Sequence, residues 1–152
     1  AALQGETAGT INFWHFLAKM KAAGMRELIS VAEASEALGL DPDTPLLGYV
    51  MKESFVAENP GIAKALYGAS RAAKDLLAND DTAWEPLREQ MNVDNDAQFE
   101  TLRTDYRAGI PKPGAIDTAG ADKLLRLMAK LGGEELVGQA TTLPAGLFAE
   151  IE

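Results

Sequence analysis

The chain has 152 residues, of which 47% are hydrophobic and 24% are charged, as in ordinary globular domains and unlike disordered or fibrous chains. Its 14 basic and 23 acidic side chains give a net charge of −9. A surface this negative repels phosphate backbones and anionic lipids, so it disfavours nucleic acid as a partner and docking onto acidic membranes.

Cysteine is absent and histidine occurs once, as His15, so disulfides, thiolate chemistry and multi-histidine metal sites are excluded. The Asp41-Pro42-Asp43 stretch lacks the glycine and distal glutamate of a calcium loop, and no glycine-rich phosphate-binding motif occurs. We therefore predict no catalytic residues, no metal site and no cofactor. No apolar run approaches the roughly 20 residues that a membrane-spanning helix needs.

The first third of the chain alternates predicted strands with predicted helices. A helix is expected from Trp14 to Ala23, closed by Gly24, and a second follows the Ser30–Glu33 capping box and ends near Leu38. Short, mostly apolar stretches bounded by turn residues predict three strands, at residues 8–12, 25–31 and 46–51. This order favours a short mixed sheet of about three strands, an α/β arrangement.

The remainder of the chain has the pattern of a mainly helical region. Helix starts are signalled at Asn59-Pro60, Asp80-Asp81, Asn95 and Asp117, each followed by apolar residues at helical spacing, and Gly132-Gly133 predicts the last stop. Three short strands leave unpaired edges, so the predicted sheet needs β structure that the chain does not supply. We therefore expect self-association, or a retained N-terminal partner.

An ordered series of segments resembles the C-terminal half of periplasmic solute-binding proteins of the nitrate/sulfonate/taurine type, which feed ABC importers. The resemblance spans residues 3 to about 148 and depends on the order of the segments, since no single one is diagnostic. In chain order the segments are Leu3-Gln4-Gly5-Glu6, Asn12-Phe13-Trp14-His15-Phe16, Ala22-Ala23-Gly24-Met25-Arg26, Leu47-Gly48-Tyr49-Val50, Glu58-Asn59-Pro60, Ala69-Ser70-Arg71-Ala72-Ala73-Lys74, Arg107-Ala108-Gly109-Ile110-Pro111 and Leu131-Gly132-Gly133.

The resemblance implies a partial type 2 periplasmic-binding-protein fold, in which two lobes clamp a small solute. Residues 1–12 would be the end of the second lobe and the crossover strand, and residues 13–152 the C-terminal part of the first lobe with a helical extension. The family's N-terminal half would be missing, which makes the chain a fragment. The implied setting is the bacterial periplasm, and the implied partners are the solute, a membrane permease and either the missing half or another copy.

Candidate solute-binding residues are Asn12, Trp14 and His15, at a predicted strand-to-helix junction of the kind where α/β proteins bind ligands. Tyr49 is a weaker candidate, beside the strand glycine Gly48. The alternative is that Phe13 packs in the core, that Trp14 and His15 pack at the domain surface, and that Tyr49 hydrogen-bonds within its own fold.

The leading hypothesis is a non-enzymatic component of an ABC import system that captures a small anionic or zwitterionic solute. One alternative is an enzyme of the pyrimidine-precursor biosynthesis type on the same scaffold, although one histidine and no cysteine argue against it. The other is a helical protein-interaction domain that binds no small molecule.

Overall fold

The computed structural model describes residues 2–114 and 116–149, and every regular element within them is helical. Helices account for 57% of the described residues, and none of these residues belongs to a strand. The α-helices are α1 (Trp14–Ala22), α2 (Val31–Ala37), α3 (Glu53–Glu58), α4 (Pro60–Asn79), α5 (Asp96–Ala108) and α6 (Thr118–Val137), with short 3₁₀ helices at Ala2–Gln4 and Thr82–Leu87.

The prediction of an α/β fold with a sheet of about three strands is wrong. The stretches 8–12, 25–30 and 46–51 lie outside every helix but form no ladder, and Val31 begins α2 instead of ending a strand. A strand exists only through hydrogen bonds to a neighbouring strand, and β-forming residue types express a preference for pleated, partly buried surroundings. The alternation of apolar residues therefore indicated a preference for extended structure, but no partner strand is present among the described residues.

The predicted helix starts are confirmed where a side chain caps the first turn. The Ser30 hydroxyl accepts the backbone N–H of Glu33 at 3.1 Å, while the Glu33 carboxylate accepts the backbone N–H of Ser30 at 2.7 Å. Asn95 accepts the backbone N–H of Gln98 at 3.0 Å at the start of α5. Helix α4 begins at Pro60 as predicted, but the Asn59 side chain donates to the Phe55 carbonyl at 2.9 Å. These signals succeed because capping is a local interaction.

Two predicted boundaries are only partly confirmed. The segment after Asp81 forms a 3₁₀ helix that contains Pro86. Helical residues continue past the expected stop to Val137, but Gly133 interrupts them with φ 59° and ψ −157°, a backbone conformation essentially restricted to glycine. Gly133 therefore kinks the helix, but helical structure continues after it to Val137.

The chain divides into two compact units. The first unit (Ala1–Leu28 and Gly68–Ile110) contains α1, α5 and most of α4, and α1 packs against α5. All of the buried apolar side chains found in the described residues lie in this unit: Ala18, Trp84, Phe99 and Leu102.

The second unit (Ile29–Tyr67 and Pro111–Glu152) contains α2, α3 and α6, and none of its described apolar side chains is in the buried set. Lys112 forms an ion pair with Asp43 at 2.7 Å, and the Lys123 ammonium donates to the Gly39 carbonyl. None of the described helices combines the length and apolar character needed to cross a bilayer.

Candidate functional site

Four consecutive rings at the start of α1, Phe13 to Phe16, form the aromatic cluster. Phe13 is the N-cap residue, and the Asn12 side-chain oxygen accepts its backbone N–H at 3.0 Å. This hydrogen bond orders the backbone just before the helix. Successive side chains of a helix point in different directions, so the four rings are distributed around its first turn.

The His15 imidazole lies at the centre of the aromatic cluster. Its plane is within 3° of the Phe13 ring with centroids 6.0 Å apart, and its centroid lies 4.3 Å from that of Phe16. The Trp14 indole meets it edge-on at 5.8 Å. Phe13, Trp14 and Phe16 keep 73%, 50% and 47% of their area exposed, so the cluster presents a half-buried imidazole framed by exposed rings.

The aromatic cluster is anchored to the buried part of the first unit through Trp14. Its indole contacts the Tyr106 ring at 6.1 Å, and Tyr106 in turn meets the buried Trp84 edge-on at 5.2 Å. At the other end of α1, Lys21 makes two hydrogen bonds of 2.7 and 2.9 Å to the Asp105 carboxylate on α5. The cluster therefore stands on a packed helix pair.

The start of α1 favours negative charge. Its first turn contains no acidic residue, and the backbone N–H groups of Trp14 and His15 have no backbone acceptor among the described residues. Free amides at a helix start and the helix dipole attract anions, while exposed aromatic faces accept planar or apolar groups by stacking. This end of α1 therefore has the chemistry to hold a small anionic or zwitterionic molecule with an apolar portion.

The predicted residues Asn12, Trp14 and His15 all lie at this helix start. Tyr49 belongs to the second unit, where it is largely exposed in the stretch 46–51. Sequence reasoning undervalued Phe13, which the alternative interpretation placed in the core although it is the most exposed ring of the cluster. Tyr106 was missed, because nothing in the sequence links it to a helix about ninety residues earlier.

Two concavities lie in the second unit, and no predicted site residue lines either of them. One has a volume of about 340 Å³, within the range of small-molecule pockets, and is lined by Thr118, Asp122, Leu143 and residues 144–148. The other, of about 20 Å³, has room for about one water molecule.

Asp122 is the charged group in the larger concavity, and it is already engaged. The backbone N–H of Leu143 and the Arg126 guanidinium both donate to its carboxylate and lower its pKa. Among the described residues, no group of three or more histidine, aspartate or glutamate side chains is placed to hold a metal ion.

No protein-family model matches the chain, and no curated protein matches it either.

Proposed function

We propose that the chain is the solute-capturing component of an ABC import system and acts without catalysing a reaction. Two things support this: the ordered series of segments that resembles periplasmic binding proteins, and the exposed aromatic cluster at the start of α1. The aromatic cluster is the observation that carries the proposal. The setting that goes with it is the bacterial periplasm, where the loaded protein would pass its solute to a membrane permease.

In this proposal the ring faces and the backbone amides have separate roles. The exposed rings of Trp14 and Phe13 stack on the apolar or planar part of the solute, and His15 and Asn12 contribute hydrogen bonds. The free amides at the start of α1 receive the anionic group. Because the chain carries a net charge of −9, this local site supplies attraction that the overall charge does not.

Isothermal titration calorimetry of the 152-residue chain against nitrate, taurine, short alkanesulfonates and pyrimidine-type amines tests the proposal. We expect saturable binding of at least one anionic or zwitterionic compound, with no chemical turnover of it. Trp14→Ala and His15→Ala should each weaken binding about tenfold, the effect of losing a ring contact worth about 1.4 kcal/mol.

Phe55→Ala is the matched control, because Phe55 is a similarly half-exposed ring that lies in the second unit. Its affinity should equal that of the unaltered chain, and circular dichroism should show unchanged helix content in all three variants. Absence of saturable binding across the panel would contradict the proposal. Conversion of a bound pyrimidine-type compound would favour the enzyme alternative instead.

A helical protein-interaction domain is the second candidate, favoured by a different observation. Large apolar side chains are exposed on helices as well as in irregular stretches, among them Ile62, Leu66 and Leu76 on α4 and Leu131 and Leu136 on α6. Exposed apolar surface on this scale is typical of interaction sites. This candidate predicts partner binding that Trp14→Ala and His15→Ala leave unchanged.

A further inference from the structure

The larger concavity of the second unit has two walls that a hydrogen bond joins. One wall is the start of α6, where Thr118 and Asp122 are four residues apart and therefore lie on one face of the helix. The other wall is the stretch 143–148, and the backbone N–H of Leu143 donates to the Asp122 carboxylate at 2.8 Å. The carboxylate that lines the concavity therefore also holds its walls together.

A tight turn shapes the second wall of the larger concavity. The backbone N–H of Leu147 donates to the Pro144 carbonyl at 3.3 Å, and Gly146 inside the turn has φ 74°, a backbone conformation that favours glycine. Leu147 and Phe148 follow the turn, line the concavity and keep 55% and 37% of their area exposed. This wall therefore offers an aliphatic side chain and an aromatic ring to a ligand.

The polar side chains that line the larger concavity are Thr118 and Asp122, and Asp122 carries the charge. Each oxygen of its carboxylate accepts one donor among the described residues: Oδ1 from the Leu143 N–H and Oδ2 from the Arg126 guanidinium. A carboxylate can accept about four hydrogen bonds, so lone pairs remain on both oxygens. The Asp122 side chain is 28% exposed, which leaves these lone pairs within reach of a ligand.

The charge at this concavity favours a cation. The Leu143 N–H, followed by the Arg126 guanidinium, lowers the pKa of Asp122 below its ordinary value of 3.8, so the carboxylate stays ionised in mildly acidic solution. Arg126 is 59% exposed, and water screens its ion pair with Asp122. A second cation can therefore share the carboxylate, and the net charge of −9 attracts cations to the chain.

We propose that the larger concavity binds a small organic ammonium ion with an apolar or aromatic body. The ammonium group donates to the remaining lone pairs of Asp122, and the apolar body lies against Leu147 and Phe148, whose ring face also attracts a cation. Apolar walls with a few converging polar groups are typical of small-molecule sites, and about 340 Å³ is near the lower end of their size range. The inference goes beyond solute capture, since it uses no residue of the aromatic cluster.

Titration of the 152-residue chain with phenethylammonium, followed by two-dimensional nuclear magnetic resonance, tests the site. We expect saturable shifts of the amide signals of Leu143 and Leu147. Phenethyl alcohol has the same body without the charge, and it should bind about tenfold more weakly because it loses the charge-assisted hydrogen bond to Asp122. Phenylacetate is anionic and should leave both amide signals unshifted, since the Asp122 carboxylate repels it.

Two variants and a matched control locate the binding. Asp122→Asn should weaken phenethylammonium binding about tenfold, because it removes the charge and keeps an oxygen that can accept the Leu143 N–H. Leu147→Ala should weaken binding about fivefold through lost apolar contact, and it leaves the Leu143–Asp122 hydrogen bond in place. Glu134→Gln is the control, since it removes the same charge from an exposed side chain of α6 outside the concavity. Its affinity should stay within about twofold of the original.

Absence of saturable shifts at Leu143 and Leu147 would overturn the inference, and so would equal binding of the alcohol and the ammonium ion. Equal weakening by Asp122→Asn and Glu134→Gln would also overturn it, because it would indicate general attraction of cations to an acidic chain. If circular dichroism shows that Asp122→Asn loses helix content, Leu147→Ala decides, and unchanged affinity there overturns the site. Shifts confined to the aromatic cluster would contradict this inference alone, whereas failure of every anionic solute to bind would contradict solute capture alone.

Discussion

At the level of single residues, the Ser30–Glu33 pair makes the start of α2 sensitive to pH. The backbone N–H and the hydroxyl of Ser30 donate to the Glu33 carboxylate, which lowers its pKa below the ordinary value of 4.5. A group whose pKa is lowered on folding stabilises the fold above its unfolded pKa, and that stabilisation disappears as the pH falls through the lowered value. The stabilisation that the ionised Glu33 carboxylate gives to the start of α2 is therefore complete at neutral pH and lost in acid.

We predict that Glu33→Gln lowers the thermal midpoint of helix loss at pH 7 and has no effect at a pH below the lowered pKa. The amide keeps a hydrogen-bond acceptor for Ser30 but removes the charge, so the difference reports ionisation. Thermal melts followed by circular dichroism, for the variant and the unaltered chain at each of these two pH conditions, measure the difference in midpoint. Glu36→Gln, on the exposed side of α2, is the control. A difference that persists unchanged in acid would contradict the assignment.

At the level of elements, the end of α4 is closed by two distant donors. The Leu77 carbonyl, in its last turn, accepts the Trp84 indole N–H at 2.8 Å and the Arg107 Nε at 2.9 Å. The last carbonyls of a helix have no partner within it, so these donors replace water there. They also join α4, the 3₁₀ helix and α5 within the first unit.

We predict that Trp84→Phe destabilises the first unit by about 1 kcal/mol, since it keeps an aromatic ring and removes the hydrogen bond. Trp84→Ala should cost about 3–5 kcal/mol, because it also leaves a cavity where a side chain only 3% exposed is packed. Urea denaturation followed by circular dichroism measures both. Leu76→Ala, at a half-exposed site on α4, is the control. Equal costs for the two Trp84 variants would show that the hydrogen bond, and not the packing, dominates.

The same elements show how far the sequence was informative. The starts of α2 and α5 were predictable because a capping side chain acts over a few residues, and the start of α4 because proline fits the first position of a helix. The stretch 46–51 was misread as a strand of the chain, because strand formation depends on a partner that local pattern does not reveal.

For the candidate site, the sequence located the residues at the start of α1 but not the α5 residue that packs against them. Asn12, Trp14 and His15 are neighbours in the chain, so the sequence itself places them together. Tyr106 reaches Trp14 only because α5 packs on α1. A contact of that separation depends on tertiary packing and leaves no signal in a single sequence.

At the level of the whole molecule, burial is unevenly distributed. Every buried apolar side chain among the described residues lies in the first unit, while the Lys112–Asp43 ion pair of the second unit joins two exposed groups. Exposed ion pairs add little to stability, and local opening is easiest where few apolar contacts are buried.

We therefore predict that amides of α6 exchange with solvent faster than those of α5. The reason is that α5 contributes Phe99 and Leu102 to the buried set and α6 contributes none. Hydrogen exchange measured by mass spectrometry on the unaltered chain, at a concentration where it is monomeric, tests this. Phe99→Ala is the comparison, since it should raise exchange in α5 towards the level of α6. Equal protection of both helices in the unaltered chain would contradict the expected order.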